Sequence, residues 1–194
     1  EKMVNAAYAM LGDCWFSYPF NLFPYGDITS DDCLKGGSGT TDTGYHPFEI
    51  WSTLTATTPG EMDELWYRLY CAVSRCNRAL VSLERNGVAK LGSDISEQRI
   101  AEVKFLRAHF YYKLLTVFRQ VPWIDEVAYL NNSIEQIPND EFSYEGLFGK
   151  VIADFETAYN VLPEKQSDGG RVNKIAADEE KAKAEAKNEE QERE

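Results

Sequence analysis

The stretch IAEVKFLRAHFYYKLLTVFRQVP, residues 100–122, decides how this chain folds. From Ile100 to Phe118, 13 of 19 residues are apolar, yet Glu102, Lys104, Arg107, His109 and Lys113 interrupt the run at regular intervals. So many charges exclude a membrane span, and the length excludes a strand. One apolar row reads Ile100, Val103, Phe110, Leu114, Val117; a second reads Ala101, Phe105, Ala108, Tyr112, Leu115. Two rows require a helix covered on two sides, as in stacked helical hairpins where each helix touches its partner and the next repeat.

The flanking sequence supplies partners for that helix. Upstream, Thr58-Pro59-Gly60-Glu61 reads as a helix start, with Thr as N-cap, Pro at the first position and Glu as the capping-box residue. The helix it opens is expected to run to about Arg85, with Leu65, Leu69, Val73, Cys76, Leu80 and Leu83 on one face and Asn86-Gly87 as its stop. Asp94 with Glu97 forms a second capping box, opening the helix that carries the quoted stretch. Two antiparallel apolar helices joined by a short loop describe one tetratricopeptide-like hairpin.

Downstream, residues 119–142 read as connector, broken by Pro122 and Pro138. Ser143 then caps a third long helix with Leu147, Val151, Phe155, Ala158 and Leu162 inward and Pro163 as its stop. Gly169-Gly170-Arg171 turns the chain, and Asn173 is placed to cap a fourth helix. Residues 178–194 hold eight acids and four bases with alanine as the only apolar residue, so no face of that segment is expected to enter a core. It reads as a solvated helix fraying into a disordered tail.

The amino-terminal side differs. Residues 1–12 form a short helix with Val4, Tyr8 and Leu11 on one face, after which 13–58 is a long irregular insertion rich in Gly, Asp, Thr and Pro. Within it, 50–55 has the composition of a short extended edge. Insertions this long inside a compact domain are functional or flexible.

Bulk properties narrow the function classes. The 194 residues suffice for one core, and 43% hydrophobic with 13% aromatic content excludes general disorder. The net charge of −12 with no basic stripe argues against nucleic acid and against an anionic membrane surface. Four cysteines do not make a disulfide scaffold: Cys71 and Cys76 point apart on a helix, whereas Cys14 with Cys33 can close a loop. No Cys/His cluster has zinc spacing, and no cofactor is indicated. Lys2 to Cys14 superficially imitates a lipoprotein signal, but Asn5 and Asp13 spoil it, so an export signal and a lipidated cysteine are expected upstream of Glu1.

The pattern A-E-V-x-F-L-R-A-x-x-Y-Y-x-L closed by V-P resembles the SusD/RagB family of outer-membrane nutrient-binding lipoproteins. Further patches are similar to the family pattern and fall in its order. They are Asp27-Ile28-Thr29-Ser30-Asp31-Asp32, Trp66-x-x-Leu69-Tyr70 with Cys76-Asn77, Asp154-Phe155-x-x-Ala158 ending in Leu162-Pro163, and Gly170-Arg171-Val172-Asn173-Lys174-x-Ala176-Ala177. The resemblance spans 1–177, which is read as the SusD-like amino-terminal helical-repeat domain, and 178–194 departs from it as a charged segment. The family adds a long carboxy-terminal half, so the resemblance implies a chain truncated relative to the family.

The resemblance implies an all-α, tetratricopeptide-like fold and a non-catalytic, lipid-anchored protein at the cell surface. Such a protein holds an oligosaccharide or other nutrient over a SusC-like TonB-dependent transporter. Sugars are held by flat aromatic faces and by planar polar groups that reach ring hydroxyls, and 13–58 offers Trp15, Tyr45, His46 and Trp51 beside Asp31 and Asp32. For Trp51 and Tyr45 the competing role is packing the long loop onto the helices. For Asp27, Asp31 and Asp32 it is capping of loop amides, since their spacing is no EF-hand. Arg107, His109 and Asn77 read as structural, with Arg107 bonding a carboxylate or carbonyls of a neighbouring loop and Asn77 a connector backbone. Two other classes compete: a helical-repeat scaffold that binds only proteins, and a helical-toroid glycoside hydrolase, for which no carboxylate pair is nominated.

Overall fold

The computed structural model describes residues 1–12, 14–15, 18–19, 22, 25–34, 36, 46–51, 60–131 and 134–192. In chain order the helices are α1 (Lys2–Tyr8), α2 (His46–Glu49), α3 (Gly60–Leu91), α4 (Ser93–Phe118), α5 (Glu126–Leu130), α6 (Tyr144–Val161) and α7 (Lys174–Glu192). Short 3-10 turns cover Ala9–Gly12 and Ile134–Gln136, and two two-residue strands, Cys14–Trp15 and Tyr18–Pro19, pair antiparallel. The chain divides into two compact units, one formed by Glu1–Met10 with Leu69–Glu194 and the other by Leu11–Arg68.

In the larger unit, pairwise contacts give the order and direction of the helices. Gly87 meets Ser96, Asn77 meets Arg107 and Tyr70 meets Tyr111, so α3 and α4 run antiparallel. Phe105 meets Phe155, Tyr112 meets Phe148, and the Tyr144 hydroxyl donates to the Leu115 carbonyl, which sets α6 antiparallel to α4. Lys181 pairs with Glu156 and Lys174 sits over the Tyr159 ring, so α7 runs antiparallel to α6. The two apolar rows of α4 are explained by this sandwiching: Ala101, Val103, Phe105, Leu106, Ala108, Phe110, Tyr111, Leu114 and Leu115 are all buried.

Two boundaries differ from their local sequence signals. α3 does not stop at Asn86-Gly87 but continues to Leu91, and the chain turns at Gly92, whose φ of 85° is the left-handed conformation glycine tolerates. Gly87 stays helical and lies where α4 approaches closely: a Cβ there would lie 2.1 Å from Ser96 Oγ and 3.2 Å from Ser96 Cβ, so any side chain would force Ser96 to shift. Gly92 is also the N-cap of α4, which places Asp94 in the first turn rather than at the cap. Other signals hold. Ser143 Oγ accepts from the Gly146 N–H at 3.1 Å, and Asn173 Oδ1 accepts from the Ala176 N–H at 2.9 Å.

The expectation that no face of 178–194 enters a core needs correction at one point. Ala184 is fully buried, as is Ala177 before it, so alanine alone forms the inward stripe of α7. A methyl group suffices because α7 lies close to α6, and its charged side chains reach sideways to His109, Glu156 and Tyr159. Glu180 Oε2 lies 3.5 Å from His109 Nδ1. That bond, with help from Lys183 and against the opposing effect of burial, holds the Glu180 carboxyl down at about 2.

Two ionic nodes of opposite sign sit one and a half turns apart on α4. Glu102, fully buried, accepts from Arg99 at 2.6 Å, Arg171 at 2.8 Å, Tyr8 at 2.9 Å and Gln166 at 3.3 Å, tying α1 and the 166–172 turn to α4. Arg107 donates to both carboxylate oxygens of Asp154, at 2.7 and 3.0 Å, to Asn77 Oδ1 at 3.1 Å, and to Glu126. Burial works against the guanidinium charge, but Asp154 and Glu126 outweigh it and raise its pKa. Burial likewise pushes Glu126 up, and Arg107 overrides this to hold it below the usual carboxylate range. Around this node the connector is strapped down. The Tyr70 hydroxyl donates to the Pro122 carbonyl at 2.8 Å, Asn77 Nδ2 to the Ile124 carbonyl at 2.8 Å, and Trp123 stacks on Tyr111 at 4.1 Å. The structural readings of Arg107 and Asn77 are thereby met. Cys33, Cys71 and Cys76 are free thiols, and burial drives the Cys76 thiol up to about 12.

Candidate functional site

The smaller unit holds the residues proposed from sequence, and two short segments of it are defined. The first is a tight turn at 25–32. The Ser30 N–H and hydroxyl both donate to the Asp27 carbonyl, at 3.3 and 2.7 Å, and the Thr29 hydroxyl donates to the Gly26 carbonyl at 3.0 Å. Ser30 Oγ in turn accepts from the Asp32 N–H at 3.2 Å. The turn is therefore knitted by its hydroxyl side chains, with Ile28 buried and Asp27, Asp31 and Asp32 exposed.

The second segment is α2 with the turn after it. Pro47 fits the first turn of a helix, where its missing N–H has no partner to lose. His46 Nδ1 lies 3.3 Å from Glu49 Oε2, three residues on. The Ile50 N–H donates to the His46 carbonyl at 3.1 Å and the Trp51 N–H to the Phe48 carbonyl at 3.4 Å. Ile50 and Trp51 thus lie in a turn that follows a helix rather than in the extended edge expected at 50–55; positions 52–55 lie outside the described residues.

A ring contact joins the two segments. Tyr25 meets Phe48 edge-on, centroids 5.3 Å apart at 84°, and Phe48 is buried. Asp31 and Asp32 are thereby carried on the turn that is pinned to the segment bearing His46 and Trp51. Tyr45 lies outside the described residues, as does the side chain of Trp15. Trp51 has a φ of 49° and is 75% exposed. A bulky non-glycine residue in the left-handed region is uncommon, and here it directs an indole into solvent. Sequence reasoning passed over Leu34, Ile50 and Tyr67, which also expose large apolar surfaces in this unit. Tyr67 was legible in principle, because in the α3 pattern it falls off the face of Leu65 and Leu69. Among the described residues no group of three or more His, Cys, Asp or Glu side chains is placed to hold a metal ion.

Residues 31–183 match the SusD-like family described as "Starch-binding associating with outer membrane". The chain belongs to that family. Similar solved structures include a SusD-like protein from Bacteroides fragilis (24% identity, TM-score 0.75, 94% of this chain and 33% of that one). Another is surface glycan-binding protein A from Bacteroides thetaiotaomicron in complex with laminarihexaose (24%, 0.72, 94% and 37%). A third is surface glycan-binding protein A from Bacteroides fluxus (22%, 0.76, 99% and 40%). No curated protein matches the chain in sequence. These likenesses establish the tetratricopeptide-like helical fold, and the chain spans a third to two fifths of the length of each SusD-like structure named.

Proposed function

We propose that this chain contributes a glycan-binding surface to a cell-surface nutrient-binding protein that works with a SusC-like TonB-dependent transporter and catalyses nothing. Trp51 is the stacking platform. His46, Asp31 and Asp32 supply polar groups for ring hydroxyls, and Tyr45 and Trp15 are the further ligand-contacting residues of this proposal. Attachment to the outer membrane is through a lipid anchor. Among the described residues no helix is long and apolar enough to cross a membrane.

The observation that carries this reading is Trp51, an indole held 75% exposed at a left-handed backbone position. Packing the loop onto the helices would bury that ring, and a platform for a sugar face requires it open. The bound laminarihexaose of the Bacteroides thetaiotaomicron relative agrees in ligand class.

The test is titration calorimetry of the chain with laminarihexaose and with maltoheptaose. Loss of a stacking ring removes about 1.4 kcal/mol, so Trp51→Ala should weaken binding about tenfold, with Trp51→Phe in between. Equal affinity for unmodified and Trp51→Ala protein would overturn the assignment of Trp51.

A further inference from the structure

The charge of this chain is distributed unevenly between its two units. Residues 11–68 carry nine acids against only Lys35 and Arg68, a net of −7 in 58 residues. The total of −12 leaves −5 for the other 136 residues. In the segments around Trp51 the imbalance is sharper. Glu49 lies two positions before the indole, and the turn pinned by Tyr25 to Phe48 exposes Asp27, Asp31 and Asp32. His46 is the one basic side chain described in 25–51, and its ring already faces the Glu49 carboxylate at 3.3 Å.

From this arrangement, and resting on the reading of Trp51 as a glycan platform, we infer that the surface takes uncharged oligosaccharides and rejects uronic-acid or sulfated ones. A neutral sugar meets the indole by its apolar face and loses nothing to the surrounding charge. An anionic chain must bring its carboxylates or sulfates toward these acids, where the one described basic side chain of 25–51, His46, already faces Glu49. Like-charge juxtaposition of this kind is how a surface discriminates against a ligand of similar shape. The selectivity is therefore a matter of charge and not of fit, and salt should relax it.

The experiment measures affinities of the chain for laminarihexaose, maltoheptaose and hexagalacturonate, with a chelator present so that no divalent ion bridges the acids. Raising salt from about 20 to about 500 mM shortens the screening length from roughly 20 to roughly 4 Å. The ratio of anionic to neutral affinity should then rise about fivefold or more, while neutral affinity stays level. In the double variant Asp31→Asn with Asp32→Asn the ratio should rise about threefold at low salt, and its dependence on salt should shrink. If those two aspartates only bonded sugar hydroxyls, both affinities would fall together and the ratio would not move. A ratio that ignores salt and substitution, or hexagalacturonate binding as well as the neutral sugars at low salt, overturns the inference while leaving the platform standing. Binding of none of the three, or binding untouched by Trp51→Ala, removes the platform itself and the inference with it.

Discussion

The helical body and the 25–51 region use the same kinds of side chain in opposite ways. On α4 the charges are turned inward and matched: Glu102 is surrounded by Arg99 and Arg171, and Arg107 by Asp154 and Glu126. In 25–51 Asp27, Asp31 and Asp32 face water, and the large ring of Trp51 faces water too. A buried charge with its partners fixes the position of every element it touches, because stranding either partner is expensive. An exposed ring or carboxylate fixes nothing in the fold and stays available to a ligand. Substitutions should therefore separate cleanly, with stability responding in the body and binding responding in 25–51.

The largest effect is expected at Arg107. Arg107→Ala leaves the Asp154 carboxylate, 8% exposed, buried without its cation, and should cost about 3–5 kcal/mol in urea denaturation. Glu102→Gln should cost less, about 2 kcal/mol, because Arg99 and Arg171 keep Glu1 as a partner and, at 14% and 15% exposed, can turn toward water. Equal costs at the two nodes would mean that burial of the stranded partner does not decide the outcome.

A smaller, more local effect tests the turn between α3 and α4. Gly87→Ala gains up to about 1 kcal/mol of helix propensity but drives a methyl into Ser96 Oγ, and overpacking of this kind costs about 1–3 kcal/mol. The net should be destabilising. Ser96 Oγ has no hydrogen-bond partner among the described residues, so Ser96→Ala should be neutral or stabilising alone and should recover much of the loss when combined with Gly87→Ala. Additive effects in that cycle would show that the close approach is not what keeps position 87 a glycine.

The same distinction explains what could be read from the chain alone. Ser143 and Asn173 were legible as caps because a cap acts within three residues of itself. The two rows of α4 were legible because periodicity records burial on two sides. Gly87 was misread as a stop because its cause is Ser96, nine residues on across a turn. The partners of Arg107 lie 19, 30 and 47 residues away, separations to which no spacing rule applies. Ala184 escaped notice because a stripe of single methyl groups is drowned by the charge around it. In the candidate site, Trp51 was legible as a residue type, but the helix-and-turn that presents it was not. Local propensity at 50–55 favours extended structure, whereas Ile50 is drawn into the turn that follows the His46–Glu49 helix, which the Tyr25 contact braces.

Acid probes the Glu180–His109 pair, which joins α7 to α4. Folding depresses the Glu180 carboxyl from 4.5 to about 2, so its contribution to docking α7 is complete above 4.5 and is lost as the pH falls towards about 2. The bond to His109 contributes most to that depression, with Lys183 adding to it. NMR shifts of Ala184 and Tyr159 should move together over this range while those of Leu114, in the centre of α4, stay put. Glu180→Gln should remove the acid step and leave α4 unchanged.

The smallest change in stability should occur where the change in binding is largest. Trp51 holds a φ of 49° with its ring 75% exposed, so Trp51→Gly relieves a left-handed strain and forfeits almost no packing. Against that relief stands the added freedom glycine gives the unfolded chain, about 0.5–1 kcal/mol, and the two should nearly cancel, leaving stability within about 0.5 kcal/mol of the unmodified protein. A loss of 2 kcal/mol or more would mean that the indole packs as a structural wedge, and Trp51 would then belong with Arg107 on the body's side of the comparison. Unchanged stability with lost glycan affinity would place the strained backbone in the service of display, since nothing in the fold would depend on the ring it holds out.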